Sequence, residues 1–388
     1  MYDVLIIGAG VTGCFIAREL ARYKLNVLVV EKDNDVGNET SSANSAIVHS
    51  GYDPVPNTLK AILNVKGNAM YDQICEELDV SFKRIGSITV ALSEKEMETL
   101  KQLQERATLN GVKTILLNKE EVHKEEPLLS ENVVGGLLAP TAGIIDPFNL
   151  CVHLMENAID NGVELKLNEE ITKISKENGI FTLNDKYQAK VVINATGVMG
   201  DVISELINNK DFDIMPRKGQ YYVLNHFSQP FVKHTLFMVP SEKGKGVLVA
   251  PTTSNNYIVG PSSEFVDSYE KVSTDPETLA QVKNNAYNLV DYVDYSKQIR
   301  QFAGLRAVAS THDFIVEETA PGFINCAGIQ SPGLTAAPAI ALDIEKMTVE
   351  MLGDCERNEN FNPIRKRIPS LKNMPLDQRN EMIRKNPD

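Results

Sequence analysis

Tyr2-Asp-Val-Leu-Ile-Ile-Gly8-Ala-Gly10-Val-Thr-Gly13 is the stretch that decides the fold. Tyr2–Ile7 is short and almost wholly apolar, the mark of a parallel strand buried on both faces. The run breaks at Gly8-Ala9-Gly10 and restarts with helical spacing at Val11, Phe15, Ile16 and Leu20. A second apolar run, Val27–Val30, ends on Glu31. Strand, glycine turn, helix and strand make the opening βαβ unit of a dinucleotide-binding sheet. The glycines have separate tasks in it: a tight turn at Gly8, close backbone approach to a pyrophosphate at Gly10, close helix–strand packing at Gly13. The helix N-terminus offers N–H groups to phosphate. Glu31, at the end of the second strand, is placed to accept from ribose hydroxyls.

Outward from this unit, residues 58–78 and 94–109 carry helical spacing, and Ser87–Leu92 reads as a strand. Asp146-Pro147 stands in the cap and first-turn positions of a helix over Phe148–Asn161. Val163–Leu167, Ile171–Ile174 and Lys190–Asn194 read as strands, the last ending in Ala195-Thr196-Gly197. From Gly219 to about Gly260 the chain turns β-rich, with runs at Gln220–Leu224, Thr235–Val239, Gly246–Ala250 and Tyr257–Val259. That pattern suits an antiparallel sheet. Residues 275–298 read as helical, Phe314–Glu317 with Phe323–Cys326 as a hairpin, and Ala337–Met351 as a helix following the loop Gly328–Thr335. The tail Asp354–Asp388 is charged, punctuated by proline and without apolar periodicity, which reads as a linker or a surface wrap.

The chain has 388 residues, 43% hydrophobic and 23% charged, enough for one large or two medium domains. Its net charge of -13 argues against a nucleic-acid surface, which needs clustered Lys and Arg. It also means that a small anionic substrate must meet a local cluster of cations. Cys14, Cys75, Cys151, Cys326 and Cys355 are scattered, so the sequence supports neither a metal site nor a redox disulfide. No signal peptide is read at the N-terminus, and no stretch of about 18 apolar residues is present to span a membrane. A cytoplasmic location is expected, with peripheral contact at a membrane left open.

Glu31 does not separate NAD from FAD. The turn Ala195-Thr196-Gly197 and the loop Gly328–Thr335, both distant in sequence, look like returns to the first domain, as the more extended FAD requires. Here a resemblance becomes specific. The string Glu39-Thr-Ser-Ser-Ala-Asn-Ser-Ala-Ile-Val-His49-Ser-Gly51 resembles the flavin-facing segment of FAD-dependent glycerol-3-phosphate oxidases and dehydrogenases in the D-amino-acid oxidase superfamily. So do Gly143-Ile-Ile-Asp-Pro147, Arg217-Lys-Gly-Gln220, Gly244-Lys-Gly246, Gly304-Leu-Arg306 and Gln330-Ser-Pro-Gly-Leu-Thr-Ala-Ala-Pro338, in the family's order. The likeness extends to the short bacterial type and to the N-terminal part of longer relatives that add a 2Fe–2S domain. L-2-hydroxyglutarate oxidases share Asn-Ser-x-x-x-His-x-Gly but continue with a Tyr pair where this chain has Tyr52-Asp53-Pro54. Ala46 and Ala307 depart from the pattern, standing where Gly and Pro are common.

The resemblance implies that FAD lies against the glycine turn (Gly8, Gly10, Gly13) with Thr12, Glu31 and Lys32. It adds Thr40, Ser41, Ser45 and Ile47 from the flavin-facing segment, Ile171, Ala195 and Gly197 from the middle of the chain, and Gly328, Ile329, Gln330 and Thr335 near the end. It makes His49 the base, with Ser45, Lys245, Arg306 and Ser331 holding substrate. The residues themselves support part of this. Oxidising an alcohol removes an O–H proton as hydride leaves carbon, and a neutral imidazole suits that near pH 7. Of six histidines, His49 alone sits in a small-residue loop after the ribose-facing strand. Lys245 reads as a hairpin-tip residue, which solvation alone would also explain. Arg306, in a small and apolar stretch, needs an anionic partner, either a substrate or an internal carboxylate such as Glu317.

The expected architecture is a Rossmann-like α/β FAD-binding domain of the D-amino-acid oxidase type (1–80, 140–215 and 300–352), interwoven with an antiparallel β-sheet substrate domain (81–139 and 216–299). Residues 353–388 follow as linker or tail. The expected reaction is oxidation of sn-glycerol 3-phosphate to dihydroxyacetone phosphate by hydride transfer to flavin. L-2-hydroxyglutarate or another 2-hydroxy acid is the alternative substrate, and a flavin-holding electron-transfer subunit is the alternative of another class. The electron acceptor, whether oxygen, a quinone or a partner protein, stays open. An iron–sulfur domain or subunit is one partner that the resemblance raises.

Overall fold

Tyr2–Ile7 forms the strand its apolar run predicts, and Val27–Val30 lies parallel to it, from Val4 opposite Val27 to Ile7 opposite Val30. The structure, a computed structural model, describes residues 1–228, 231–240, 246–270, 272–367, 371 and 374–386. Tyr187–Asn194 runs parallel along the other side of Tyr2–Ile7, with Asn194 opposite Ile7. Phe323–Ala327 adds to it in parallel, and Glu164–Lys166 lies outside Val27–Val30. Ile7, Val30, Asn194 and Ala327 therefore finish near one edge of the sheet. Each is followed by a segment that the sequence nominates for cofactor: Gly8, Glu31, Ala195 and Gly328. In open parallel sheets, ligands bind in the crevice beyond the carboxyl ends of the strands.

Along the two central strands, Val4–Ile7 and Val27–Val30, alternate residues face opposite sides and both sides are buried, so both are apolar. Val4, Ile6, Val27 and Val29 pack against helices Val11–Leu20, Leu59–Leu78, Pro147–Asp160 and Gly333–Leu352, in a core that includes Phe15, Leu20, Tyr71, Leu154 and Ile340. Leu5, Ile7, Leu28 and Val30 pack on the opposite side against Ile171, Phe181, Leu183 and Phe323. Each fully buried aliphatic or Phe side chain contributes roughly 1.5–3 kcal/mol. Asp146 caps its helix as predicted, accepting from the amides of Phe148 and Asn149, both at 3.1 Å, and Thr58 caps Leu59–Leu78, accepting from Ala61 at 3.2 Å.

A second sheet of nine strands is built mostly from antiparallel pairs. It runs Glu264–Phe265, Ile214–Leu224, Tyr257–Gly260, Leu248–Pro251, Thr235–Met238, Ser87–Ala91, Gly135–Ala139 and Ile115–Asn118, with Gln298–Ala309 also paired to Ile214–Leu224. A three-stranded sheet of Ile47–Val48, Gly143–Ile145 and Phe82–Arg84 places the segment before His49 between the two.

Three local readings are corrected. The helix read over 275–298 spans Pro276–Ala286, and Gln298–Ala309 is a strand whose first residues are polar because they are exposed. Ile171–Lys173 is not a strand: the amides of Thr172 and Lys173 donate to the Asn184 side chain at 3.0 and 3.3 Å, and the strand begins at Ile174. The last long helix starts at Gly333 rather than Ala337 and accommodates Pro338 inside its second turn.

Beyond that helix the chain crosses the outer face of three others. Lys24 N donates to Glu356 O (2.9 Å), Asn358 N to Arg22 O (2.8 Å), Arg365 N to Glu77 O (2.9 Å), and Asn157 Nδ2 to Asn362 O (3.0 Å). Leu376–Lys385 is helical, with no buried residue.

Candidate active site

A cavity of about 1060 Å³ begins at the carboxyl edge of the parallel sheet and runs to the nine-stranded sheet. Its size lies at the upper end for small-molecule sites, as an extended cofactor plus a substrate requires. At the sheet edge the fit to a dinucleotide can be tested on the glycines. Gly8 has φ +101°, and a β-carbon on it would fall 2.6 Å from Ala195 O. One on Gly13 would fall 2.0 Å from Gly8 O. Gly10 caps Val11–Leu20 without a side-chain hydrogen bond, so the first turn opens its amides to the cavity, apart from that of Val11, which donates to Ser41 Oγ at 2.9 Å. Glu31 accepts from Ala9 N (2.7 Å) and Asp33 N (3.0 Å). Each carboxylate oxygen keeps acceptor capacity for a ribose hydroxyl. These features fit FAD.

Most of the nominated residues line this one cavity: Gly8, Gly10, Thr12, Glu31, Lys32, Thr40 and Ser41 toward one end; Ile171, Ala195 and Gly197 along it; Ser45, Ile47, His49, Arg306, Ile329, Gln330 and Ser331 toward the other. Gly13, Gly328 and Thr335 are not on its lining. Gly13 packs helix on strand, and Gly328 (φ +66°) turns the chain beside Ala309. Thr335, fully buried in the first turn of Gly333–Leu352, accepts from His49 N at 2.8 Å. Lys245 lies outside the described residues.

His49 is clamped through its backbone. Besides Thr335, its carbonyl accepts from Asn64 Nδ2 (3.1 Å) and Asn68 Nδ2 (2.9 Å), one helical turn apart on Leu59–Leu78. Its Nε2 lies 3.4 Å from Ser331 Oγ, and its ring sits 5.9 Å from that of Phe237. Ser45 Oγ lies 3.4 Å from the Tyr221 hydroxyl. Next to Ser45, Ala46 occupies the left-handed region (φ +56°), with its amide held by Asn44 Oδ1 at 2.7 Å. A β-carbon is strained there, which accounts for glycine being usual at this point of the pattern.

Arg306 donates from Nη2 to Ser262 O at 3.1 Å. Among the described residues it makes no ion pair with a carboxylate. Glu317 is exposed on Ile315–Ala320 in the first sheet, opposite Asn325, and does not serve as its partner. Sequence reading missed Asn64 and Asn68, whose spacing of four in a helix was the available signal. It also gave no role to Arg217, Tyr221 or Phe237, which line the cavity from strands paired across long sequence separations. Among the described residues no His, Cys, Asp and Glu are grouped to hold a metal ion, and no helix is long and apolar enough to cross a membrane.

Comparison with known proteins agrees with this geometry. The chain is 45% identical to the glycerol 3-phosphate dehydrogenase of Caloramator mitchellensis, over 99% of this chain and 82% of that one. It is 34% identical to the glycerol 3-phosphate oxidase of Mycoplasma genitalium, over 93% and 97% of the two chains. The dithionite-reduced L-alpha-glycerophosphate oxidase of Mycoplasma pneumoniae with FAD bound superposes with a TM-score of 0.90 at 33% identity, covering 95% of this chain and 99% of that one. Residues 3–347 match the DAO family model of FAD dependent oxidoreductases. With that match over nearly the whole chain, and a glycine turn and cavity that fit the cofactor, this protein belongs to the DAO family and is an FAD-dependent oxidoreductase.

Proposed function

We propose that the chain oxidises sn-glycerol 3-phosphate to dihydroxyacetone phosphate, with His49 as the base. The observation that carries the reading is one cavity wall that joins His49, Ser331 and Ser45 to Arg306 in a protein of net charge -13. FAD, when bound, supplies the hydride acceptor. His49 takes the hydroxyl proton at the neutral nitrogen of its imidazole, and Ser331 and Ser45 orient the hydroxyl. Arg306, joined in the proposal by Lys245, holds the phosphate, which is the local cluster of cations that an acidic protein needs to retain an anion. The likeness to a glycerol 3-phosphate dehydrogenase and to glycerol 3-phosphate oxidases supports the same substrate. Anaerobic addition of glycerol 3-phosphate is expected to bleach the oxidised flavin, faster than L-2-hydroxyglutarate at equal concentration. The reverse order would transfer the assignment to the 2-hydroxy acid.

The proposal extends to organisation. The FAD-binding part would comprise 1–80, 140–215 and 300–352, the substrate part 81–139 and 216–299, and the protein would work in the cytoplasm or at a membrane surface. Electrons would leave to oxygen, a quinone or a partner protein, with an iron–sulfur domain or subunit as one such partner. Reoxidation of dithionite-reduced enzyme by each acceptor in turn identifies which one is used.

A further inference from the structure

Helix Leu59–Leu78 carries Asn64, Asn68 and Asp72 at a spacing of four, so the three share one face. The row runs outward: Asn64 and Asn68 are buried, and Asp72 is exposed. Both asparagines reach the carbonyl of His49 through Nδ2. They differ at the other end of the amide. Asn64 Oδ1 is buried and meets no hydrogen-bond donor among the described residues. Asn68 Oδ1 accepts from Arg84 Nη1 at 2.9 Å.

Arg84 ends the strand Phe82–Arg84 and stands opposite Gly143. Gly143 is also opposite Val48, in the last pair of the ladder before His49. Asn68 spans the two chains where that ladder stops: its Nδ2 donates to His49 O at 2.9 Å and to Thr141 O at 3.0 Å. The guanidinium surrounds this amide. Nη1 donates to Asn68 Oδ1 and Thr141 O, Nη2 to Asn68 O at 2.7 Å and Asp72 Oδ2 at 2.6 Å, and Nε to Asp72 Oδ2 at 3.1 Å. Each of the five N–H groups of Arg84 thus has an acceptor. So held, the Asn68 amide has one orientation. Turned over, it would set Nδ2 against the guanidinium and Oδ1 against two carbonyls.

We infer that Arg84 is a positioning residue for the reaction: through the Asn68 amide it fixes the peptide of His49 and so aims the imidazole. This rests on His49 as the base in glycerol 3-phosphate oxidation and names what holds that base in line. Neither Arg84 nor Asn68 lines the cavity, so neither meets the substrate. Without the guanidinium the Asn68 amide is free to turn, and the carbonyl of His49 is left to Asn64, whose own oxygen nothing holds. A base displaced slightly from its proton loses rate rather than substrate binding.

The test uses FAD-loaded enzyme and two variants. Arg84→Met removes the guanidinium, while Asn68→Asp keeps an acceptor for Arg84 and replaces the amide's donor by an oxygen. In both, anaerobic flavin reduction by saturating glycerol 3-phosphate is expected to slow about tenfold or more, with the half-saturating concentration within about twofold of wild type. In a His49→Ala background the same changes should cost less than about twofold, because a residue that acts through the imidazole then has nothing to act on. Full flavin content shows that each variant is folded. In the resting enzyme, hydrogen exchange over residues 46–51, read by mass spectrometry, should quicken in both variants. Losses of the same size with and without the imidazole overturn the inference, as do wild-type reduction rates or wild-type exchange in both variants. A wild type that glycerol 3-phosphate does not bleach would instead remove the functional reading, and the exchange rates would still decide whether Arg84 fixes the His49 peptide.

Discussion

The peptide of His49 is fixed at both ends, its N–H by Thr335 and its carbonyl by Asn64 and Asn68, none of which depends on the imidazole. Side-chain truncation should therefore leave the loop, and the cofactor beneath it, in place. His49→Ala is expected to bind FAD normally while its flavin is reduced by glycerol 3-phosphate about 10²–10⁴-fold more slowly, the usual cost of losing an acid–base group. Stopped-flow anaerobic reduction reads this directly, and wild-type rates would assign His49 to structure. The histidine was legible because a lone imidazole in a small-residue loop is locally conspicuous. The asparagines were not, since amides spaced by four on a helix read equally well as a solvated face, although Asn64 is fully buried. Thr335 illustrates a different limit. A pattern names the residue but not which way its hydroxyl faces, and here it faces the backbone of His49 rather than the cavity.

At the scale of elements, the glycine turn can be separated into parts that hold the fold and a part that admits the ligand. Added β-carbons at Gly8 and Gly13 meet backbone at 2.6 and 2.0 Å, so changes there disturb the sheet and helix themselves. At Gly10 φ is an ordinary -68°, and an added β-carbon meets only Ser41 Oγ, at 3.2 Å. Gly10→Val should therefore fold, with far-ultraviolet circular dichroism close to wild type, but purify colourless because the branched side chain fills the pyrophosphate approach. A yellow variant with stoichiometric FAD would refute that division of labour. The elements near this turn were readable since periodicity and caps are local. The start of Gln298–Ala309 was not: the exposed Gln298-Ile-Arg-Gln301 has no alternation to mark a strand, and only pairing with Ile214–Leu224 makes it part of one. For the same reason the facing of Arg217 and Arg306, 89 positions apart, appears only once register is known.

At the scale of the molecule, residues 354–367 act on the helical layer that backs the parallel sheet. Arg18, 1% exposed on the first helix, donates to Glu77 at 2.6 Å, to Asn157 at 3.0 Å and to Pro363 O at 3.1 Å. The strap thus closes a polar network joining helices Val11–Leu20, Leu59–Leu78 and Pro147–Asp160. Phe361 lies 4.4 Å from the Arg22 guanidinium, and Arg365, 5% exposed, pairs with Glu156. Removing everything after Gly353 would leave Arg18 paired with Glu77, so no buried charge is stranded. It would instead forfeit several backbone and amide hydrogen bonds, each worth about 0.5–1.5 kcal/mol net. The expected loss is about 2–5 kcal/mol, because some of those groups regain water. Since the backed helix is the one whose N-terminus faces the pyrophosphate, the cofactor should be released at the same lowered temperature. Thermal scans following flavin fluorescence are expected to show Tm falling by several degrees in the shortened chain, with FAD content unchanged at 25 °C. Arg365→Ala should reproduce a fraction of the shift. If the shortened protein melts with the wild type, residues 354–367 lie on the helices without bracing them, and the strap has no share in holding the cofactor's helix.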